Sequence, residues 1–175
     1  FRTPGLGGFQ MLDLHDYTGQ GTALVGVLDP FWEAKDYVKA SEWRQFCSET
    51  VPLARLTKRV FSSSEKLEAS IDLTHYGKAE MQKIGVFWSI IDSQNNRVSS
   101  GQLATTDLPI GRRIGVGKLA LDLEKLPAPG TYQLRLELHD LDIKSSPFGK
   151  RANSWNFWVY PANVSSEPSK DVLVT

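Results

Sequence analysis

From about Leu53 to Tyr160 the chain alternates apolar and polar residues with a period of two, in one short run after another. Leu67, Ala69, Ile71 and Leu73 alternate with Glu68, Ser70, Asp72 and Thr74. Ile84, Val86, Trp88 and Ile90 form the apolar set of the next run. Tyr132, Leu134, Leu136 and Leu138 alternate with Gln133, Arg135, Glu137 and His139. Successive side chains of a strand point to opposite faces, so each run predicts a strand with one face buried and one wet. A helix would scatter the same apolar residues around its circumference. Val98 to Thr105 reads as a weaker, edge-like strand, and Ile114 to Leu123 as another whose alternation slips near Gly117, which predicts a bulge. Trp155, Phe157 and Val159 mark the last strand, and Arg55 to Phe61 the first. Ser93–Asn96 and Pro127–Gly130 supply turns. About seven short strands separated by turns predict a mainly β fold, an antiparallel sandwich of immunoglobulin-like type. Trp88 in the third strand and Tyr132 near the start of the sixth stand where such sandwiches favour them. The single cysteine, Cys47, excludes the inter-sheet disulfide of antibody domains.

Residues 1–52 have a different character. Phe9 to Leu14 is a short, mostly apolar run, as expected of a strand buried on both faces. A polar loop follows, His15 to Gly21, and then a second apolar run, Leu24 to Leu28. Asp29-Pro30 is a helix-start signal, an N-cap followed by proline at the first helical position, with Phe31, Trp32 and Lys35 on the helix. A second helical stretch, about Ala40 to Cys47, puts Trp43, Phe46 and Cys47 on one face, and Thr50-Val51-Pro52 ends it. A strand, polar loop and helix start normally sit inside a larger α/β domain. Here they follow Phe1 with no methionine before them, so the chain reads as a piece of a longer protein. Residues 162–170 are rich in Ser and Pro and read as a linker, and 171–175 as the start of a further domain. Asn163-Val164-Ser165 matches a glycosylation sequon, a pattern common by chance.

Composition removes several functions. Lys+Arg and Asp+Glu balance at 20 each, which leaves no electrostatic case for nucleic acid or an anionic membrane surface. No apolar run approaches the roughly 20 residues that span a bilayer. His15, His75 and His139 lack carboxylates or thiols at zinc-like spacing, so no metal site is expected. There is no Gly-x-Ser-x-Gly elbow, and the glycine pairs do not open into a helix with Lys-Ser/Thr, so neither a serine nucleophile nor a phosphate loop is expected. Cys47 reads as a buried, inert thiol. The basic pairs Arg112-Arg113 and Lys150-Arg151 read as solvated edges.

Two sets of residues remain as candidates. Asp13, His15, Asp16 and Gln20 cluster after the first apolar run. At the C-terminal end of a central strand they could hydrogen-bond sugar hydroxyls or orient a catalytic carboxylate. They could equally satisfy buried backbone groups. Phe87, Trp158 and Tyr160 fall on strand faces opposite the core. They could stack on sugar rings or pack against a neighbouring domain, and packing is the stronger expectation.

The order of parts, a Gly-Gly-Phe strand, a polar loop, a helix start and a sandwich closing on Ser-Trp-Asn-Phe-Trp, resembles glycoside hydrolase family 2, more narrowly its β-galactosidase-type members. The resembling segments are Gly7 to Trp32, Trp43 to Pro52 and Asn153 to Tyr160, of which GFQMLDLHDYTGQGTALVGVLD is the most specific. The resemblance implies that residues 1–52 are the remnant of a (β/α)₈ barrel, its last strand and helix. Residues 53–161 would be the immunoglobulin-like sandwich that buttresses the barrel, and 162–175 a linker into the next domain. Family members hydrolyse the glycosidic bond with retention, using an acid/base and a nucleophilic carboxylate. Both come from earlier barrel strands, so neither falls in this chain and no catalytic residue is assigned. No cofactor or metal is implied. The implied partners are the remaining domains of the parent enzyme and, in the intact enzyme, a carbohydrate substrate, with no nucleic acid and no membrane. Asp13, His15, Asp16 and Gln20 would touch substrate only in that parent. Met11 and Leu12 stand where the family often has a tryptophan. A periplasmic or extracellular parent fits the resemblance. The alternatives are a carbohydrate-binding module and a structural β-sandwich spacer.

Overall fold

A computed structural model describes residues 8–22, 24–142 and 151–163. Residues 164–170 of the expected linker, the further-domain start, the end of the sequon and Lys150 lie outside the described residues. The molecule is mainly β, and its described residues form eight strands in two sheets. Strands β1 (Thr50–Leu56), β3 (Lys66–His75) and β6 (Gly111–Asp122) form a three-stranded sheet in the order β1-β3-β6. Strands β2 (Val60–Ser62), β4 (Met81–Asp92), β5 (Arg97–Leu108), β7 (Gly130–Asp140) and β8 (Arg151–Tyr160) form the second, in the order β2-β8-β7-β4-β5.

The strand expected over Arg55–Phe61 is in fact two. The chain leaves the small sheet after Leu56, crosses at 57–59, and joins the edge of the large sheet. There β2 runs parallel to β8, Val60 opposite Trp158 and Ser62 opposite Tyr160. All other pairs among the described strands are antiparallel. Pro52, expected to end a helix, lies inside β1. It is tolerated because β1 is an edge strand, where a residue without an N–H leaves no central ladder bond unmade. The bulge expected in β6 is present. Ile71 faces Gly117 and Asp72 faces Gly115, so Val116 is the extra residue.

The alternation seen in the sequence becomes the core. Ala54, Leu67, Ile71, Leu73 and Leu119 from one sheet meet Ile84, Val86, Leu134, Leu136 and Phe157 from the other in a single buried cluster. Full burial of each such side chain contributes about 1.5–3 kcal/mol. Trp88 packs against this cluster from a half-buried position. Tyr132 lies stacked on Phe157 with ring centroids 5.6 Å apart, and its hydroxyl donates to the Pro127 carbonyl at 2.5 Å. The ring fills the core while the hydroxyl ties the turn before β7 to the strand.

Residues 8–49 depart from expectation. The helix signal Asp29-Pro30 opens a turn instead: the Asp29 carboxylate accepts from the N–H groups of Phe31 and Glu33, at 2.8 and 2.9 Å. An aspartate that can cap a helix can equally close a turn on its own backbone, and nothing apolar packs here to extend the helix. The second helix is one turn, α1 (Ala40–Trp43). The expected strand Phe9–Leu14 does not form; just after it, isolated bridges join His15 to Leu28 and Leu28 to Ala34. Cys47, expected buried, is exposed, because the stretch after α1 has no core to turn toward. No helix among the described residues is long and apolar enough to cross a membrane.

Two substitutions separate the contributions of apolar burial and of the Tyr132 hydroxyl. Leu136→Ala should cost about 2–5 kcal/mol, since it leaves a cavity at a fully buried site. Tyr132→Phe should cost only about 0.5–1.5 kcal/mol, the worth of its hydrogen bond. Urea denaturation midpoints check both.

Candidate functional site

The polar loop after Leu14 is organised around one carboxylate. Asp16 is buried, and its Oδ1 accepts from Lys35 Nζ at 2.7 Å and from the Gly26 N–H at 2.9 Å. Backbone bonds from Asp16 N–H to the Leu28 carbonyl and from Leu28 N–H to the Leu14 carbonyl, each 3.0 Å, lace the two apolar runs together. Gly26 is required by close approach, since a Cβ there would lie 2.3 Å from the His15 carbonyl carbon. The Tyr37 hydroxyl donates to the Gly26 carbonyl. The Lys35 ammonium, through its hydrogen bond, holds the Asp16 carboxyl below the ordinary aspartate value of 3.8. Burial opposes this and the Gly26 N–H supports it.

The other members of the set face elsewhere. His15 is half-buried, its Nδ1 donating to the Asp16 carbonyl at 2.7 Å, with its ring 4.6 Å from Trp32. Asp13 is half-buried. Gln20 is exposed and donates to Thr22 Oγ1 at 3.2 Å. Asp16 is therefore engaged internally, while Asp13, His15 and Gln20 remain at the surface. Around them, Phe9, Leu12, Leu24, Phe31, Trp32 and Tyr37 are exposed, Phe31 by 83% and Leu12 by 78%. Among the described residues of 8–49 only Asp16 and Gly26 are buried.

The aromatic candidates divide into two places. Trp158 and Tyr160 lie on the outer face of β8 beside exposed Val60 and half-buried Ser62 of β2. Phe87 pairs with Glu137, whereas Trp158 pairs with Thr131. Six residues along β7 separate the two rows, roughly 20 Å at strand rise. Phe87 is half-buried against the His139 ring, 4.9 Å between centroids. Trp158 and Tyr160 thus form one small aromatic surface, and Phe87 is not part of it.

A concavity that the sequence did not suggest opens at the end of the sandwich where β3, β7 and the start of β8 meet. It holds about 490 Å³, and Glu49, His75, Gly77, Met81, Asp140 and Arg151 are among its lining residues. His75 is buried. Its Nε2 donates to the Ala79 carbonyl at 2.8 Å, and its Nδ1 is hydrogen-bonded to Thr50 Oγ1 at 2.8 Å. These bonds pin the 77–80 loop as the lip of the cavity. Gly77 lies flat on the ring, where a Cβ would come within 2.5 Å of His75 Cε1. Arg151 lines the wall half-buried. Burial pulls its guanidinium below the usual arginine range, and the charges of Asp140 and Glu49 oppose that shift. The elements that meet here are far apart in sequence, which is why no local pattern reveals the site. No group of three or more His, Cys, Asp or Glu among the described residues could hold a metal ion.

Two outcomes test this geometry. Asp16→Ala should abolish amide-exchange protection at Gly26 and shift the melting of the sandwich by less than about 0.5 kcal/mol. Because Asp16 is more acidic folded than unfolded, its link should hold above pH 3.8 and fail as pH falls through the depressed value, read by the same amide. Gly77→Ala should destabilise the sandwich by about 1–3 kcal/mol, because the pinned imidazole has no room to yield.

Among solved structures, part of the chain is similar to a β-glucuronidase of Parabacteroides merdae, at 18% identity and a TM-score of 0.40 over 64% of this chain and 14% of that one. It is also similar to the CARDB domain of a Pyrococcus furiosus protein in complex with di-metal ions, at 10% identity and a TM-score of 0.48 over 64% of this chain and 93% of that one. A third is the alkylpurine DNA glycosylase AlkC of Pseudomonas fluorescens, at 16% identity and a TM-score of 0.47 over 64% and 30%. The chain thus spans 14% of the length of the β-glucuronidase. Likenesses at these scores assign no activity. No curated protein matches the chain in sequence. Residues 65–161, from the turn before β3 to the end of β8, match a family model over more than half of the chain. The chain belongs to the family described as "Domain of unknown function (DUF8488)".

Proposed function

We propose that this chain is a non-catalytic part of a family 2-like glycoside hydrolase. In this reading residues 1–52 close a (β/α)₈ barrel, the sandwich over residues 53–161 buttresses it, and the residues from 162 lead into a further domain. One observation carries the reading: residues 8–46 hold a large share of exposed apolar side chains with no core beneath them. Monomeric proteins rarely expose contiguous apolar surface on this scale, and a partner normally covers it. The remainder of the barrel is the occupant that the resemblance of Gly7 to Trp32 supports. Asp13, His15 and Gln20 would then border the sugar subsite, and the Asp16–Lys35 pair would hold their loop in place.

The immunoglobulin-like reading of the sandwich draws support from the strand order. The first edge is shared between the sheets through β1 and β2, and β2 runs parallel to the last strand. The Tyr132 hydroxyl bonded to Pro127 at the turn before β7 matches the tyrosine corner of such domains.

Retention requires two carboxylates about 5–5.5 Å apart. The full-length protein should therefore hydrolyse an aryl β-glycoside with retained anomeric configuration, and residues 1–175 alone should not. Turnover by the purified chain, or inversion by the full-length protein, would overturn the reading. Residues 50–163 alone should keep the melting transition of the longer chain and lose its binding of a hydrophobic dye. A melting loss as large as that of a core deletion would place residues 8–49 with the sandwich instead.

A further inference from the structure

Outside the sandwich, the backbone of Trp32 is strained. It stands at φ 69°, the left-handed region that a bulky side chain rarely adopts. Such strain persists where neighbouring contacts impose it, and it gathers at ligand clamps. Here the Asp29 turn imposes it. Asp29 Oδ1 accepts from the N–H groups of Phe31 and Glu33, on either side of Trp32, and the Trp32 N–H donates to the Asp29 carbonyl at 3.1 Å. Burial does not offset the strain, because Trp32 is 61% exposed. What the conformation achieves is a contact. It brings the indole to the His15 imidazole, 4.6 Å between centroids with the planes 45° apart.

His15 is fixed independently. A carbonyl can only accept, so its Nδ1 donates to the Asp16 carbonyl at 2.7 Å. In the neutral ring Nε2 is then the acceptor, and no group among the described residues bonds it. The two rings share one backbone support. The Asp16 N–H reaches the Leu28 carbonyl, and the next N–H, of Asp29, reaches the Glu33 carbonyl. Imidazole and indole are therefore placed before any ligand arrives, which lowers the ordering cost of binding. A broad aromatic face beside a single acceptor suits a sugar ring, whose C–H groups can lie on the indole while one hydroxyl donates at its rim.

We propose, resting on the family 2-like reading above, that Trp32 and His15 form one substrate-binding element of the parent enzyme. The indole carries the C–H face of a sugar ring, and His15 Nε2 takes one of its hydroxyls. The test assays the full-length protein on an aryl β-glycoside that it hydrolyses and on the monodeoxy analogues of that substrate. His15→Phe, which keeps a ring beside Trp32, should lower kcat/KM by about tenfold, the loss of one hydrogen bond. Deoxygenation at one position should cost the wild type a similar factor and cost His15→Phe nothing further. Trp32→Gly should raise KM by about tenfold, while amide-exchange protection of Asp29 and Glu33 in residues 1–175 is kept or rises, because glycine adopts φ 69° without strain. Equal slowing of every deoxy analogue by His15→Phe would give the pair a packing role and overturn the proposal. A Trp32→Gly variant that loses the protection of Asp29 and Glu33, or that lowers the melting temperature of the full-length protein, would do the same, as would unchanged kinetics in either variant. Each of these outcomes leaves wild-type hydrolysis intact. A wild-type protein that hydrolyses none of a panel of aryl β-glycosides would instead overturn the family reading together with this one.

Discussion

The contact between the inward faces of β3 and β7 is the constraint on which the other features depend. Leu67, Ile71 and Leu73 on one sheet and Leu134, Leu136 and Phe157 on the other are almost wholly removed from water. Their burial sets the register, because a slip of one residue in either strand would turn the whole set outward. The register in turn places the strand ends, and the strand ends place the groups that line the cavity. His75 closes β3, Asp140 closes β7 and Arg151 opens β8, so these three meet only because the core aligns their strands.

Residues 8–49 are held by a different kind of interaction. Among their described residues no apolar side chain is fully buried; one buried carboxylate with its lysine and glycine partners orders the loop, and the rings of Phe9, Trp43 and Phe46 pack beside it. A polar knot of this kind is directional and local. It sets the loop geometry around His15 without anchoring the segment to the sandwich. The described ties to the sandwich are few, such as the Tyr76 N–H to the Glu49 carbonyl at 2.7 Å.

Much of the sandwich is legible in the residues themselves. The runs around Leu67, Ile84 and Leu134 become β3, β4 and β7, and the slip near Gly117 becomes a bulge at Val116. Period-two alternation reports burial on one face directly, so it survives without knowledge of partners. The misreadings fall where a local signal has two outcomes. Asp29-Pro30 could start a helix or close a turn, and only the lack of packing selects the turn. Arg55 to Phe61 reads as one strand, because a switch between sheets at 57–59 leaves no mark on the hydrophobic pattern. Cys47 carries an amphipathic spacing that predicts burial, but the helix stops at Trp43 and leaves it exposed.

The candidate site divides in the same way. The cluster Asp13, His15, Asp16 and Gln20 is visible as a polar run, but its internal arrangement is not: Asp16 turns inward because Lys35 and Gly26 reach it across the loop. The end cavity is invisible to any sequence window, since its residues come from positions 49 to 151. By itself the sequence determined a mainly β chain with its inward-facing residues, because strand periodicity and the hydrophobic effect act on near neighbours. Only the tertiary structure decided which strand ends converge, which carboxylate is buried and where a ligand-sized space remains, because those follow from contacts between residues distant in the chain.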